Sequence, residues 1–218
     1  MRVEHPWDVS AREAIDIQKQ LAAHQPGPPP RTPIHTIAGV DVDVHRGVSY
    51  AAVGLMTFPE LEVLSVALAR RRITFPYRPG LLAFREGPAV LEAFGQLPQL
   101  PDVAIFDGHG FAHPRRMGLA RHIGLWLDLP TIGCAKSCLI GRHDMPRPEK
   151  GSYTPLLQDG DVIGAVVRTR SGVRPVYVSA GHRMELNLAI QTILTCCTRY
   201  RLPEPIRLAH QAAGAAHA

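Results

Sequence analysis

The chain has 218 residues, 45% of them hydrophobic and 20% charged, with a formal net charge of +5 and a sequence pI near 9.3. That length suits one substantial domain with its own core, and the composition excludes a disordered or low-complexity chain. No apolar run approaches a bilayer span, and the opening "MRVEHPWDVSAREA" lacks the basic and apolar order of a secretory signal, so a cytoplasmic, non-membrane protein is expected.

In chain order, Ser10 followed by Glu13 reads as a capping box that opens a helix through about His24, with Ala14, Ile15, Leu21 and Ala22 towards one side. "PGPPPRTP" (26–33) is too proline-rich for helix or central strand and reads as a stiff surface connector. "TIAGVDVDV" (36–44) alternates, with Val40, Val42 and Val44 on one face and Asp41 and Asp43 on the other. "VSYAAVGLMTF" (48–58) and "EVLSVALARRR" (62–72) follow across short turns, completing a three-stranded antiparallel meander. Gly87 and Pro88 mark a helix start, with Val90, Leu91 and Phe94 inward.

The rhythm then changes. "DVAIFD" (102–107) is a short apolar strand of the kind buried on both faces, "RMGLARHIGLWLDL" (116–129) a helix, and "TIGCAK" (131–136) the next strand. A strand–helix–strand unit implies that these two strands are parallel. "DVIGAVVRT" (161–169) and "RPVYVSA" (174–180) read as a hairpin, "MELNLAIQTILTCCTRY" (184–200) as a long apolar helix, and 201–218 as a weakly ordered tail. Cys134, Cys138, Cys196 and Cys197 form no C-x-x-C pair; they are expected as reduced thiols, with no zinc site.

The chemistry-bearing residues gather at strand ends. "VAIFDGHGFAHPRR" (103–116) drives an apolar strand into Asp107, flanked by Gly108 and Gly110. Ligands of open α/β sheets gather beyond the carboxyl ends of strands, yet taken alone this segment reads as a capped turn. Asp41, mid-strand and opposite three valines, strengthens the other reading. Carboxylates from separate strands converging on one edge are what a hard divalent cation needs, and Glu86 is a third. Lys136 ends an apolar strand beside them, and His182 follows another strand. Each also has an ordinary use: a helix-terminus carboxylate, a snorkelling lysine, one histidine among eleven. The basic balance and the clusters Arg70–Arg72, Arg115–Arg116 and 142–150 suit a polyanion without identifying one.

Together "IAGVDVDV", "PYRPGLLAFREGPAVLEAF", "AIFDGHGFAHPRRMGLARHIGLWLDLPTIGCAKSCL", "TPLLQDGDVIGAVVRTR" and "VYVSAGHRMEL" resemble endonuclease V, the deoxyinosine 3′-endonuclease family, over roughly residues 7 to 200. The resemblance implies an RNase H-like α/β fold, a mixed five-stranded sheet with three antiparallel strands and then parallel ones, flanked by helices. It implies a metal-binding catalytic set of Asp41, Glu86 and Asp107, completed by His182, with Lys136 also catalytic. The cofactor implied is Mg²⁺, with Mn²⁺ able to substitute. "PYRP" (76–79) resembles the family's wedge, in which Tyr77 inserts where a base has left the stack. Gly80, Gly108 and Gly110 would then line a pocket for that base, and His113 and Arg115 would face the nucleic-acid backbone. Arg78 stands where the wedge usually has isoleucine, and Asp43 adds a second acid to the first strand.

The activity implied is Mg²⁺-dependent hydrolysis of the second phosphodiester bond 3′ to deoxyinosine in single- or double-stranded DNA. Two alternatives stand beside it: cleavage at inosine in RNA, and an inosine-binding module without catalysis. The latter has no need of Asp41, Glu86 and Asp107 together. No dimerisation stripe shows beyond ordinary amphipathic helices, so a monomer is expected.

Overall fold

The computed structural model describes residues 4–24, 27–30 and 33–217, so part of the proline-rich connector lies outside the described residues. Thirteen elements follow in order. They are α1 (Ala11–Ala22), β1 (Thr36–His45), β2 (Val48–Thr57), β3 (Val63–Arg72), α2 (Leu82–Gly95), β4 (Val103–Phe106) and α3 (Leu119–Leu127). Then come β5 (Thr131–Ala135), β6 (Tyr153–Gln158), β7 (Asp161–Val167), β8 (Val176–Ala180), α4 (Leu186–Cys196) and α5 (Glu204–Ala215).

The strands form one mixed sheet in the order β3-β2-β1-β4-β5-β8-β7-β6. The meander β1–β3 is antiparallel, and β4 and β5 are parallel to β1, as the sequence predicts. The sheet has eight strands where five were expected. The predicted hairpin, β7 and β8, does not stand apart: β8 pairs antiparallel with β5, and β6, unread in the sequence, pairs with β7. Its segment, YTPLLQ, carries Pro155 and mixed exposure, a weak strand pattern that only a neighbouring edge can stabilise.

Strand parity sorts the core into two layers. Ala38, Val40, Ala104 and Phe106 pack with Val90, Phe94 and Ile123 of α2 and α3. Ile37, Ile105, Ile132 and Cys134 pack with Ile190, Ile193 and Ile206 of α4 and α5. Two helix readings change. Ser10 does cap α1, its Oγ accepting from the Glu13 N–H and its N–H donating to the Glu13 carboxylate at 2.8 Å. But α2 begins at Leu82, so Pro88 lies inside it rather than at its start; the tolerated cost is one missing N–H to the carbonyl a turn earlier. The tail read as weakly ordered is helix α5, with Ile206, Ala209 and Ala213 fully buried. It docks closely because β1 carries Gly39, where a Cβ would stand 2.0 Å from the Pro205 backbone. The four cysteines are free, and Cys134 is core. No helix among the described residues is long and apolar enough to cross a membrane.

Candidate active site

Register places the carboxylates. Val40 of β1 pairs with Phe106 of β4, so the next residues on two parallel strands, Asp41 and Asp107, stand side by side where β4 ends. The Asp107 N–H donates to the Val40 carbonyl at 3.0 Å, holding that end. Glu86 reaches the same cleft from α2, and Lys136 from just beyond β5, where its ammonium pairs with Asp107. Four of the five predicted catalytic residues are thus together.

His182 is not. It follows β8, which runs antiparallel to β5, so the end of β8 lies at the start of β5 rather than beside Lys136. There the His182 N–H donates to the Thr131 hydroxyl at 2.9 Å, and its Nε2 meets Asp128 at 2.8 Å. Burial lowers its basicity despite Asp128. The histidine in the cleft is His210 of α5, whose Nδ1 is 2.6 Å from Asp41 Oδ2. The segment "LAHQAAGAAHA" has few signals of its own; its one clue was alanine spacing, with Ala209 and Ala213 four apart on one helical face. Asp43 lines the outer cleft and pairs with His217.

The electrostatics of this cleft are those of a site short of positive charge. Desolvation, then the neighbouring Asp41, raises the Glu86 carboxyl to about 8. Asp41 is also raised, by burial and then by Asp107, against the pull of His210 and Lys136. Desolvation opposes the charged form of Lys136, but the hydrogen bond to Asp107 together with the charges of Asp107 and Asp41 outweighs it and raises its pKa. Among the described residues no three His, Cys, Asp or Glu side chains already stand at metal-ligating spacing. Asp107 and Asp41 are instead engaged by the chain's own Lys136 and His210. The donor set nonetheless fits a hard divalent ion: three carboxylates in one cleft, one of them raised by burial and by its acidic neighbours.

A second cavity of about 350 Å³ adjoins the cleft and shares Leu82, Asp107 and Lys136 with it. Its walls include Pro79, Gly80, Gly108, His109 and Met117, and Tyr77 stands at its rim with 68% of its surface exposed. Tyr77, Gly80 and Gly108 thus line one cavity. Arg78 also lines the cavity. Gly110 is not a lining residue: it is buried, and its N–H donates to the Ser179 hydroxyl at 2.9 Å. His109, unassigned in the sequence, lines the cavity instead and leaves a buried Nδ1 unpartnered.

His113 and Arg115 have structural tasks that differ from backbone contact. His113 is buried; its Nδ1 accepts from the Arg115 and Met117 N–H groups, so Nε2 carries the proton donated to the Gly80 carbonyl at 3.0 Å. Desolvation, then the charge of Arg115, lowers His113 to about 4 and keeps it neutral. Arg115 donates to the same carbonyl at 2.7 Å and to Gln18 Oε1 at 2.6 Å, while Gln18 Nε2 donates to the Gly80 carbonyl at 3.1 Å. Three donors from α1 and the 113–115 turn thus clamp the residue after the "PYRP" loop. Gly80 has φ +77°, a conformation that glycine adopts without penalty.

The family model described as Endonuclease V matches residues 15–211. The chain is 52% identical over 206 residues to Endonuclease V of Roseiflexus sp. (strain RS-1), covering 94% of this chain and 93% of that one. It resembles the crystal structure of the Endonuclease V from Streptomyces avermitilis with TM-score 0.90 and 41% identity, over 99% of this chain and 96% of that one. It also resembles Endonuclease V of Ciona intestinalis, solved with a 24mer DNA containing an inosine followed by a ribo-adenosine. There the TM-score is 0.81 and the identity 26%, over 94% and 97% of the two chains.

Proposed function

The chain belongs to the endonuclease V family, and from that premise we propose that it is a DNA-repair endonuclease acting at deoxyinosine, by Mg²⁺-dependent hydrolysis of the second phosphodiester bond on the 3′ side. One observation carries the reading. A cleft that gathers Asp41 of β1, Asp107 just beyond β4 and Glu86 of α2 adjoins a cavity rimmed by an exposed tyrosine.

Asp41, Glu86 and Asp107, with His210 beside them, are the residues that would hold the cation. When bound it supplies an activated water and charge neutralisation at the leaving oxygen. The rest is the chain's own work. Lys136 presents an ammonium at the junction of cleft and cavity, where it offsets charge developing on a phosphate. Burial, then the charge of Asp41, favours a proton on the Glu86 carboxyl. Tyr77 fills the gap left by an extruded base, a stacking contact of about 1–3 kcal/mol against an extrusion cost of similar size. The Gln18–His113–Arg115 clamp holds the wedge loop at Gly80 so that the tyrosine and the cavity keep their spacing. Hypoxanthine lacks the 2-amino group of guanine, and a close-fitting cavity selects it by excluding that group.

Inosine in RNA is the second reading, favoured by the ribo-adenosine that follows inosine in the Ciona relative's oligonucleotide. The test is incubation with matched strands carrying deoxyinosine, inosine in RNA, or neither, with and without Mg²⁺. Cutting confined to the deoxyinosine strand with Mg²⁺ is expected, and equal cutting of the unmodified strand overturns the lesion-specific reading. Asp107→Ala should lower cutting by at least about 10³-fold while retaining affinity for the inosine strand. Normal cutting by that variant removes Asp107 from the reaction.

A further inference from the structure

Lys136 stands one residue past β5, where pairing with β8 has ended at Ala135 and Tyr177. Carried on, the same register would set Lys136 opposite Val176 and Ser137 opposite Pro175. A proline has no N–H to give, so the ladder cannot continue through Pro175. Ser137, Cys138 and Leu139, which follow, are exposed and line the cavity. The ammonium that pairs with Asp107 therefore projects from a main chain that the sheet no longer fixes.

The missing hold comes from outside the sheet. Arg201, in the segment between α4 and α5, donates through Nη2 to the Lys136 carbonyl at 2.9 Å and to the Pro175 carbonyl at 2.8 Å. One nitrogen thus bridges the two chains where the ladder stops. Arg201 is itself anchored, its carbonyl accepting from the Thr169 hydroxyl at 2.6 Å and from Cys197 Sγ at 3.6 Å, two buried side chains. Attraction does not explain the placement. The Arg201 charge opposes the Lys136 ammonium, and the Arg201 Nε is left buried without a partner. Water would cap two exposed carbonyls without either penalty. What the guanidinium adds over water is a fixed position.

We propose that Arg201 is a positioning residue, a side-chain clamp that takes over from the β5–β8 ladder and holds the Lys136 main chain so that its ammonium stays at the junction of cleft and cavity. The catalytic consequence rests on the nuclease reading above; the clamp does not. Arg201 touches neither phosphate nor base and acts through Lys136. A displacement of the lysine by about 1 Å is enough to cost about 10²-fold in rate. The wedge loop is held separately, by Gln18, His113 and Arg115 at Gly80, and keeps its place.

A double-mutant cycle on the full chain tests this, read by single-turnover cutting of a deoxyinosine strand with Mg²⁺. Arg201→Met keeps the stem, removes the donors, and should lower the rate by about 10²-fold while Lys136 is present. On a Lys136→Ala background the same change should cost less than about threefold, and affinity for the deoxyinosine strand should stay within about twofold. Should Arg201→Met not fold, Arg201→Lys, with one donor group on a shorter stem, carries the same cycle with a loss of about tenfold. Equal losses on both backgrounds mean a general structural role and overturn the proposal, as does undiminished cutting. So does an affinity loss shared by deoxyinosine and undamaged strands, which makes Arg201 a phosphate contact. Labelling with acetic anhydride, read by peptide mass spectrometry, needs no cutting. Lys136 should be acetylated faster in Arg201→Met than in wild type, with Lys19 of α1 as the unchanged reference, and equal labelling overturns the clamp. A wild-type chain that never cuts, yet shows this labelling difference, sinks the nuclease reading and leaves the clamp standing.

Discussion

His113 illustrates how a residue can be important to a site without touching what the site binds. Its neutral ring is a two-ended strut, accepting two backbone N–H groups and donating to Gly80. Its pKa is depressed to about 4 in the fold, so folding favours the neutral ring. The stability this contributes is present above the unfolded value near 6.5 and is lost as pH falls through about 4. His113→Gln keeps a donor for the Gly80 carbonyl and removes the titration. Urea denaturation from pH 7 to pH 4 should show a loss smaller than wild type's by of order 1–3 kcal/mol. Equal slopes would mean that the strut is not held neutral. At this scale the sequence was informative about chemical type and silent about burial. Asp107 and Lys136 were readable because a charge at the end of an apolar strand is anomalous, and Asp41 because it interrupts a strand in its middle, while Glu86 stood out only beside them. Which of eleven histidines meets Asp41 was not readable, because His182 follows an ordinary strand, His210 sits in a helix of little pattern, and only the direction of β8 and the docking of α5 separate them.

At the scale of elements, α5 decides the character of the cleft. It crosses β1 and β2 over Gly39 and Gly54, two places where the sheet surface is bare backbone. Gly39→Val would put a side chain into the Pro205 backbone and lift the helix that carries His210. Cutting should fall by about 10²-fold, as expected when a positioned group moves by about 1 Å, while far-ultraviolet circular dichroism keeps most of its signal. Undiminished cutting would show that His210 contributes little. The alternation in β1, the continuous apolar β4 and the capping box of α1 were legible because each repeats a local period or a local hydrogen-bond pattern. The order of α5 was not, because alanine and histidine carry little pattern and the helix is stabilised by the sheet it lies on.

Over the whole molecule, some of the positive charge is committed to holding the fold. Arg115 clamps Gly80, Arg116 meets Gln158, Arg121 holds the end of α1, and Arg168 collects three carbonyls. The net +5 therefore overstates what a polyanion meets, and only a few phosphates should be contacted by free cations such as Arg78. Binding of an unmodified duplex should weaken about 10- to 100-fold between about 50 and 200 mM salt, the slope of two to four contacts. A fall of 10⁴-fold or more would mean that the internal clamps open on binding. The eight-stranded breadth of the sheet was underestimated from sequence because β6 is a weak strand pattern held by its hairpin partner β7, and only the pairing of β8 with the distant β5 joins that hairpin to the sheet.

The return of α5 to β1 also bears on how such a protein comes into being. Strands β1 to β5 can be laid side by side as they are made, each new one joining its predecessor or β1. The face that α5 covers, and the histidine beside Asp41, come only after residue 204. A chain stopped by the ribosome before that point carries the carboxylates but neither the finished cleft nor a closed core. Completion of the cleft thus waits on the final helix, the last element of the fold to be made.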